Sequence, residues 1–241
     1  GTTLTLTDSA SNNLTADLSS LSGSSNMDGL SDVKSEGTDF SGSLLIGHQT
    51  TGTLDAAENN TGVGIGALDA LTTGDYNTAL GNQALTTNTS GNNNTAMGYQ
   101  ALYSNTTGYN NIALGFHALY SNTTGYQNIA MGHEALYANT TGINNTALGI
   151  RALFSNTTGK DNTAVGYRAL YSNTTTNNNT ALGYEALYNN VGRDNTASGY
   201  QALNKNTTGF NNTAMGIQAL YANTTGNDNT AMGLSALLNN T

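Results

Sequence analysis

The sequence predicts an all-β fold, a parallel β-solenoid (β-roll) of about twelve 17-residue coils, and three observations predict it. The first is a fixed period. The Gly that closes each "N-T-A-L-G" stands at Gly64, Gly81, Gly98, Gly115, Gly132, Gly149, Gly166, Gly183, Gly199, Gly216 and Gly233, always seventeen apart except for the sixteen between Gly183 and Gly199. Such self-similarity is the signature of stacked repeats. The second is selective constancy. Counted from that Gly, the phrase reads G-Y-Q-A-L-Y-S-N-T-T-G-Y-N-N-T-A-L, and its first (Gly), fourth (Ala), fifth (Leu) and fourteenth (Asn) positions are the same in every clear copy, while the second, third, sixth and twelfth drift. The third is a Thr-Thr-Gly turn in nearly every phrase, where Gly supplies positive φ and Asn and Thr side chains bond the local backbone.

Taken in order, residues 1–42 form a collar, attachment or linker segment, and residues 43–241 form the repeat shaft. In the first segment "TTLTLT" alternates like a strand, and "NLTADLSSLSG" reads as a short helix or a linker. The shaft opens on a worn copy, "SLLIGHQTT", whose Gly47 lies seventeen before Gly64, and its last copy stops at Thr241 in mid-phrase, as in a piece of a longer fibre. Within a coil, "NTALGY" and "ALYSN" are strand-like pieces and "NTTGYN" is the turn. A helical repeat is rejected. Helical-hairpin repeats run at about 33 residues or more, and the longest candidate, "NTAMGYQALYSN", carries an interior Gly costing about 1 kcal/mol.

Each strand should pair with its copy one coil up. Coils about 4.8 Å apart would make a rod of roughly 55 Å. Stacking puts like over like, so Asn94, Asn111, Asn128 and Asn145 are expected to form one amide ladder and Asn105, Asn122, Asn139 and Asn156 another. Leu102, Leu119 and Leu136 are candidate interior residues, and the repeated Gly and Ala mark close packing. Strict alternation sets Asn94, Ala96, Gly98, Gln100 and Leu102 on one face and Thr95, Met97, Tyr99, Ala101 and Tyr103 on the other. A coil this small encloses few large aliphatics, which leads to the expectation of a homotrimer whose small Ala/Gly faces meet.

Composition removes several function classes. Only 9% of residues are charged, Pro, Cys and Trp are absent, and the net charge is −9. Residues 1–60 hold eight acids against Lys34 alone, −7 of that total. So few Lys and Arg leave no electrostatic footprint for nucleic acid. No apolar run approaches the ~20 residues of a membrane helix, and "GTTLTLTDSASNN" has neither the basic start nor the apolar stretch of a leader.

At "NTALGNQAL", "NTAMGYQAL" and "NIALGFHAL" the sequence resembles the head repeats of trimeric autotransporter adhesins. It resembles still more the N-T-A-L-G-Y-Q-A-L-Y-S-N-T-T-G repeats of tail-fibre proteins of tailed, especially marine, bacteriophages. The stretch from Gly29 to Leu68 is similar to the lead-in of such a fibre shaft, so the resemblance covers roughly residues 29–241. It implies a left-handed, trimeric β-roll in an extended fibre or stalk. The 17-residue coil departs from the shorter one of the adhesin heads, so their cross-section does not carry over. In phage fibres such repeats often precede a chaperone or tip domain, which this sequence does not include.

His48, His117 and His133 are the only histidines; His117 is one coil from Glu134, and the set reads as surface histidines rather than a metal site. Glu134, Arg151, Arg168 and Glu185, seventeen apart, read as a surface ladder of low energetic weight in preference to a binding patch. Two aromatic columns are candidates for stacking sugars: Tyr99, Phe116, Tyr167, Tyr184 and Tyr200, and Tyr103, Tyr120, Tyr137, Phe154, Tyr171 and Tyr188. Packing is the preferred reading because a sugar site would break the repeat locally. "TGVGIGAL" matches no phosphate loop, Asp is too sparse for calcium-binding repeats, the many N-x-T sequons read as turn chemistry, and no catalytic constellation recurs.

The expected function is therefore structural: the shaft of a trimeric phage tail fibre on the virion, holding out a host-receptor-binding region, with no enzymatic activity and no cofactor. Its expected partners are copies of itself, other virion or fibre proteins at its ends, and a host surface glycan or protein, with no nucleic acid and no membrane insertion. One alternative is a bacterial surface adhesin head that binds glycans or matrix. A third is an ice-binding solenoid, disfavoured because Thr106 and Thr107 are adjacent in a turn rather than two apart on a strand.

Overall fold

The computed structural model describes residues 57–241 continuously, together with the strands β1 (Thr3–Thr7), β2 (Asn13–Asp17), β3 (Val33–Ser35) and β4 (Leu44–Ile46). The rest of residues 1–42 lies outside the described residues, as do Gly47 and His48. β1 and β2 pair antiparallel, with Thr5 opposite Thr15. "TTLTLT" is the strand its alternation predicts. "NLTAD", read as helix or linker, is a strand as well, because an isolated helix so short is unstable and β1 offers a ladder partner.

The shaft is a solenoid. Its single sheet continues from β4 through β5 (Thr61–Val63), β6 (Thr78–Leu80), β7 (Thr95–Met97), β8 (Ile112–Leu114), β9 (Ile129–Met131), β10 (Thr146–Leu148), β11 (Thr163–Val165), β12 (Thr180–Leu182), β13 (Thr196–Ser198), β14 (Thr213–Met215) and β15 (Thr230–Met232). β3 pairs antiparallel with β4, and all later neighbours are parallel. Like lies beside like, Ala96 next to Ala113 next to Ala130. Register survives the short coil, since Ala181 still faces Ala197; the missing residue is absorbed in the turn.

Each coil contributes only three strand residues, at phrase positions fifteen to seventeen. "ALYSN" is not a second strand. Residues at the third, fifth and thirteenth positions are left-handed in coil after coil, as in Gln100 (φ 53°), Leu102 (φ 51°) and Asn110 (φ 56°). Left-handed residues reset the direction of the side chains, so strict alternation fails between Gly98 and Leu102: Ala101 and Leu102, adjacent in sequence, both point inward. The turns nevertheless bond coil to coil. Leu102 donates to the carbonyl of Ala118, Thr106 to that of Thr123, and His117 to that of Tyr99.

The interior closes within one chain. Ala96, Ala101, Leu102, Asn105 and Asn111 are all fully buried, and their copies repeat this along the rod. One buried Leu per coil contributes about 1.5–3 kcal/mol. The small Ala face that the sequence reading turned toward a neighbouring chain is thus the coil's own interior.

Two amide ladders run through that interior. At the fourteenth position, Asn128 donates its backbone N–H (3.0 Å) and its Nδ2 (3.2 Å) to Oδ1 of Asn111, and a second Nδ2 hydrogen to the carbonyl of Gly142 (2.8 Å). Its own Oδ1 receives the same pair of donors from Asn145. At the eighth position, Asn122 bonds Oδ1 of Asn105 (2.8 Å) and the carbonyl of Gly125 (3.0 Å). The eleventh-position glycines answer to space and not, as the turn reading expected, to a positive φ: a Cβ on Gly108 would come under 3.0 Å from Asn105 Oδ1, Asn122 Nδ2 and the carbonyl oxygen of Gly125. Gly98 answers to space and dihedral together, with φ of 142° and the backbone of Gly115 equally close.

Asn128→Ala leaves the amide N–H of Asn145, its Nδ2 and the carbonyl of Gly142 short of a partner in a dry interior. Urea unfolding is expected to show a loss of roughly 3–6 kcal/mol. Gly98→Ala should cost about 3 kcal/mol or more, combining a strained φ with overpacking. Thr124→Ala, on the exposed side of the same turn, should stay within about 0.5 kcal/mol.

Candidate functional site

The side chains with chemistry to offer lie on one flank, where the second, third and sixth phrase positions form neighbouring columns. The sixth-position column is a continuous stack: Tyr103, Tyr120, Tyr137, Phe154, Tyr171 and Tyr188 follow one another at 5.1–5.2 Å with planes within 7°. Each ring in the run has its faces covered by the rings above and below. A sugar stacks on a free aromatic face, and within the run those faces are turned to neighbouring rings. The second-position column stacks in two runs. Tyr99, Phe116 and His133 form the first, Tyr167, Tyr184 and Tyr200 the second, and Ile150 separates them.

The third-position column lies between these stacks. His117 sits 3.9 Å from the Phe116 ring and 4.9 Å from that of Tyr120. Its Nε2 is 2.8 Å from Oε1 of Gln100, so Gln100 takes the place the sequence reading gave to Glu134. Glu134 instead receives Nε of Arg151 at 2.5 Å, with Nδ1 of His133 at 3.6 Å. The charged ladder is therefore half assembled. Arg168 lies over the rings of Tyr167 and Tyr171, at 5.0 and 5.6 Å, and its buried Nε has no hydrogen-bond partner. Glu185 receives Nε2 of Gln201 at 3.0 Å. The Arg168 guanidinium thus takes a cation–π contact with two tyrosines in place of an ion pair.

Burial pushes the His117 imidazole below its ordinary 6.5; Glu134 opposes the shift and His133 adds to it. Burial also raises the Tyr120 phenol above 10.0, helped by its tyrosine neighbours. Among the described residues no group of three His, Cys, Asp or Glu side chains is placed to hold a metal, and no helix is long and apolar enough to cross a membrane.

Three features were not read from the sequence. Tyr109 and Tyr126 stack at 4.6 Å in the variable twelfth column, which their seventeen-residue spacing signalled. Next, the Thr176 hydroxyl, standing where other coils have Gly, donates to Oδ1 of Asn173, and Nδ2 of Asn190 turns to the carbonyl of Gly192. The eighth-position ladder is interrupted there, between the full-length coil that holds Thr176 and the coil one residue short, and it resumes with Asn206 on Oδ1 of Asn190. Lastly, the seventeenth- and second-position side chains stand exposed beside each other along the sheet, among them Leu80, Met97, Tyr99 and Phe116 at 40–45%. The ninth-position hydroxyls bond the turn of the next coil, Thr106 Oγ1 donating to the carbonyl of Thr123.

A lowered histidine pKa means that the folded chain takes up a proton less readily than the unfolded one. The stability associated with His117 is complete above about 6.5 and declines as pH falls through the folded value. His117→Gln repeats the Gln100–Gln83 bond (2.7 Å) without a titrating group. Its melting temperature is expected to drop less between pH 7.5 and pH 5 than that of the parent, as measured by calorimetry.

Comparison of the chain with protein-family models, with curated proteins and with solved structures finds no match.

Proposed function

We propose that this chain is the structural shaft of a trimeric bacteriophage tail fibre, a stiff spacer that holds a host-receptor-binding region away from the virion. Left-handed winding and threefold assembly belong to the same proposal. The observation that carries it is the pair of buried Asn ladders, in which coil after coil repeats the same internal bonds. A rod so built resists bending and local opening because every coil is tied to the next by side chain as well as backbone. The reading assigns the chain no catalysis and no cofactor. Its partners are further copies, fibre or virion proteins at its ends and, beyond them, the host surface. The adhesin alternative is weaker because the aromatic faces that would hold glycans are stacked on one another.

Light scattering should give three times 24.8 kDa. Antibody against residues 57–241, with gold detection in electron micrographs, should decorate fibres on phage particles, and the purified rod should leave bacterial cells and glycan arrays unbound. Gold on uninfected bacterial surfaces, or saturable glycan binding by the rod, would replace the shaft with the adhesin.

A further inference from the structure

The solenoid buries Ala and a Leu in coil after coil and leaves other large apolar residues exposed. Along the outer side of the sheet, the seventeenth position presents Leu80, Met97, Met131, Leu182 and Met215 at 40–45% exposure. Across the flat Gly column, the second position presents Ile65, Tyr99, Ile150, Tyr184, Tyr200 and Ile217 at 43–60%. The two columns make one apolar stripe with three polar steps beside strands β5 to β15, roughly 50 Å long at the usual interstrand spacing. Fourteen side chains at 40–75% exposure offer on the order of 1,000 Å² of apolar surface; the largest patch on a typical monomer is ~300–600 Å². A stable interface needs about 800 Å² per partner.

We infer that this stripe is the contact along which copies of the chain associate side by side, parallel and in register. The occupant follows from period and charge. A partner must meet an apolar step at every coil, and a second copy has the same rise throughout. Neither column carries a carboxylate, Lys or Arg between Val63 and Leu234, so copies of a chain of net charge −9 approach here without like charges meeting. The stripe is broken at Asn82, His133 and Ser198. In-register parallel copies set each break against itself and leave every other step with an apolar partner, whereas antiparallel or shifted copies spoil twice as many steps. Desolvating this stripe supplies the association free energy that the buried Ala face cannot.

The inference rests on the chain associating at all, as the proposed fibre requires, and the tests separate the two. The chain has no Cys, so Leu80→Cys introduces a single thiol on the stripe and Thr124→Cys a single thiol on the exposed turn away from it. Mild oxidation should cross-link the Leu80→Cys chain to itself and leave Thr124→Cys uncoupled. Met97→Glu/Met131→Glu, two coils apart, should bring the mass in light scattering to 24.8 kDa while circular dichroism stays that of the parent. A parent already monomeric overturns both the assembly and the stripe. A parent multimer that cross-links through Thr124→Cys, or survives the double substitution at full mass, overturns the stripe alone and leaves the fibre reading standing.

Discussion

The rest of the structure depends on one constraint: two asparagines per coil sit in a dry interior and must be fully hydrogen-bonded there. A buried amide without partners costs about as much as a lost core side chain. The fourteenth-position residue meets that demand because its oxygen accepts two donors from the next coil while its nitrogen gives to the previous Asn and to a Gly carbonyl. In the regular coils that pattern calls for an identical residue directly above and below; in the short coil Nδ2 of Asn195 turns to Oδ1 of Asn190 instead. Coil length, register and rise are therefore not free to vary independently.

Close stacking then dictates which residues are small. The Asn105 amide reaches the carbonyl of Gly108, where a Cβ would press under 3.0 Å on the Asn105 and Asn122 amides and on the carbonyl of the next coil. Where Thr176 replaces this Gly, its hydroxyl takes over Oδ1 of Asn173, and Asn190 in the next coil keeps its bond to the turn carbonyl of Gly192. The irregular coil shows the rule by its exception, since the strand register continues undisturbed past it. Leu is admitted once per coil, at a left-handed residue that aims it at the axis together with the preceding Ala.

The same stacking turns every exposed phrase position into a column. Aromatic residues become stacks whose faces are mutually covered, charges become neighbours at one coil's distance, and outward aliphatics become a stripe. Surface chemistry on such a rod is linear, and that suits long contacts between parallel rods better than a compact site for a small molecule. The contribution of Arg151 and Glu134 is accordingly a local pairing within a column rather than a pocket.

The sequence alone determined the solenoid, its seventeen-residue coil and both Asn ladders, since a period is visible without coordinates and stacking follows from it. It also placed Glu134 one step from Arg151, which do pair, and the sixth-position aromatics, which do stack. Only the tertiary structure decided which way each side chain points between Gly98 and Leu102. Alternation assumes extended backbone, and left-handed Gln100 and Leu102 break that assumption with residues whose identity gives no hint of positive φ. For the same reason the interior was misplaced: Ala101 and Ala96 were read on opposite faces, yet both are buried within one chain. A chain's period is written in its letters, but the direction of a side chain is set by backbone dihedrals that the packed coil imposes.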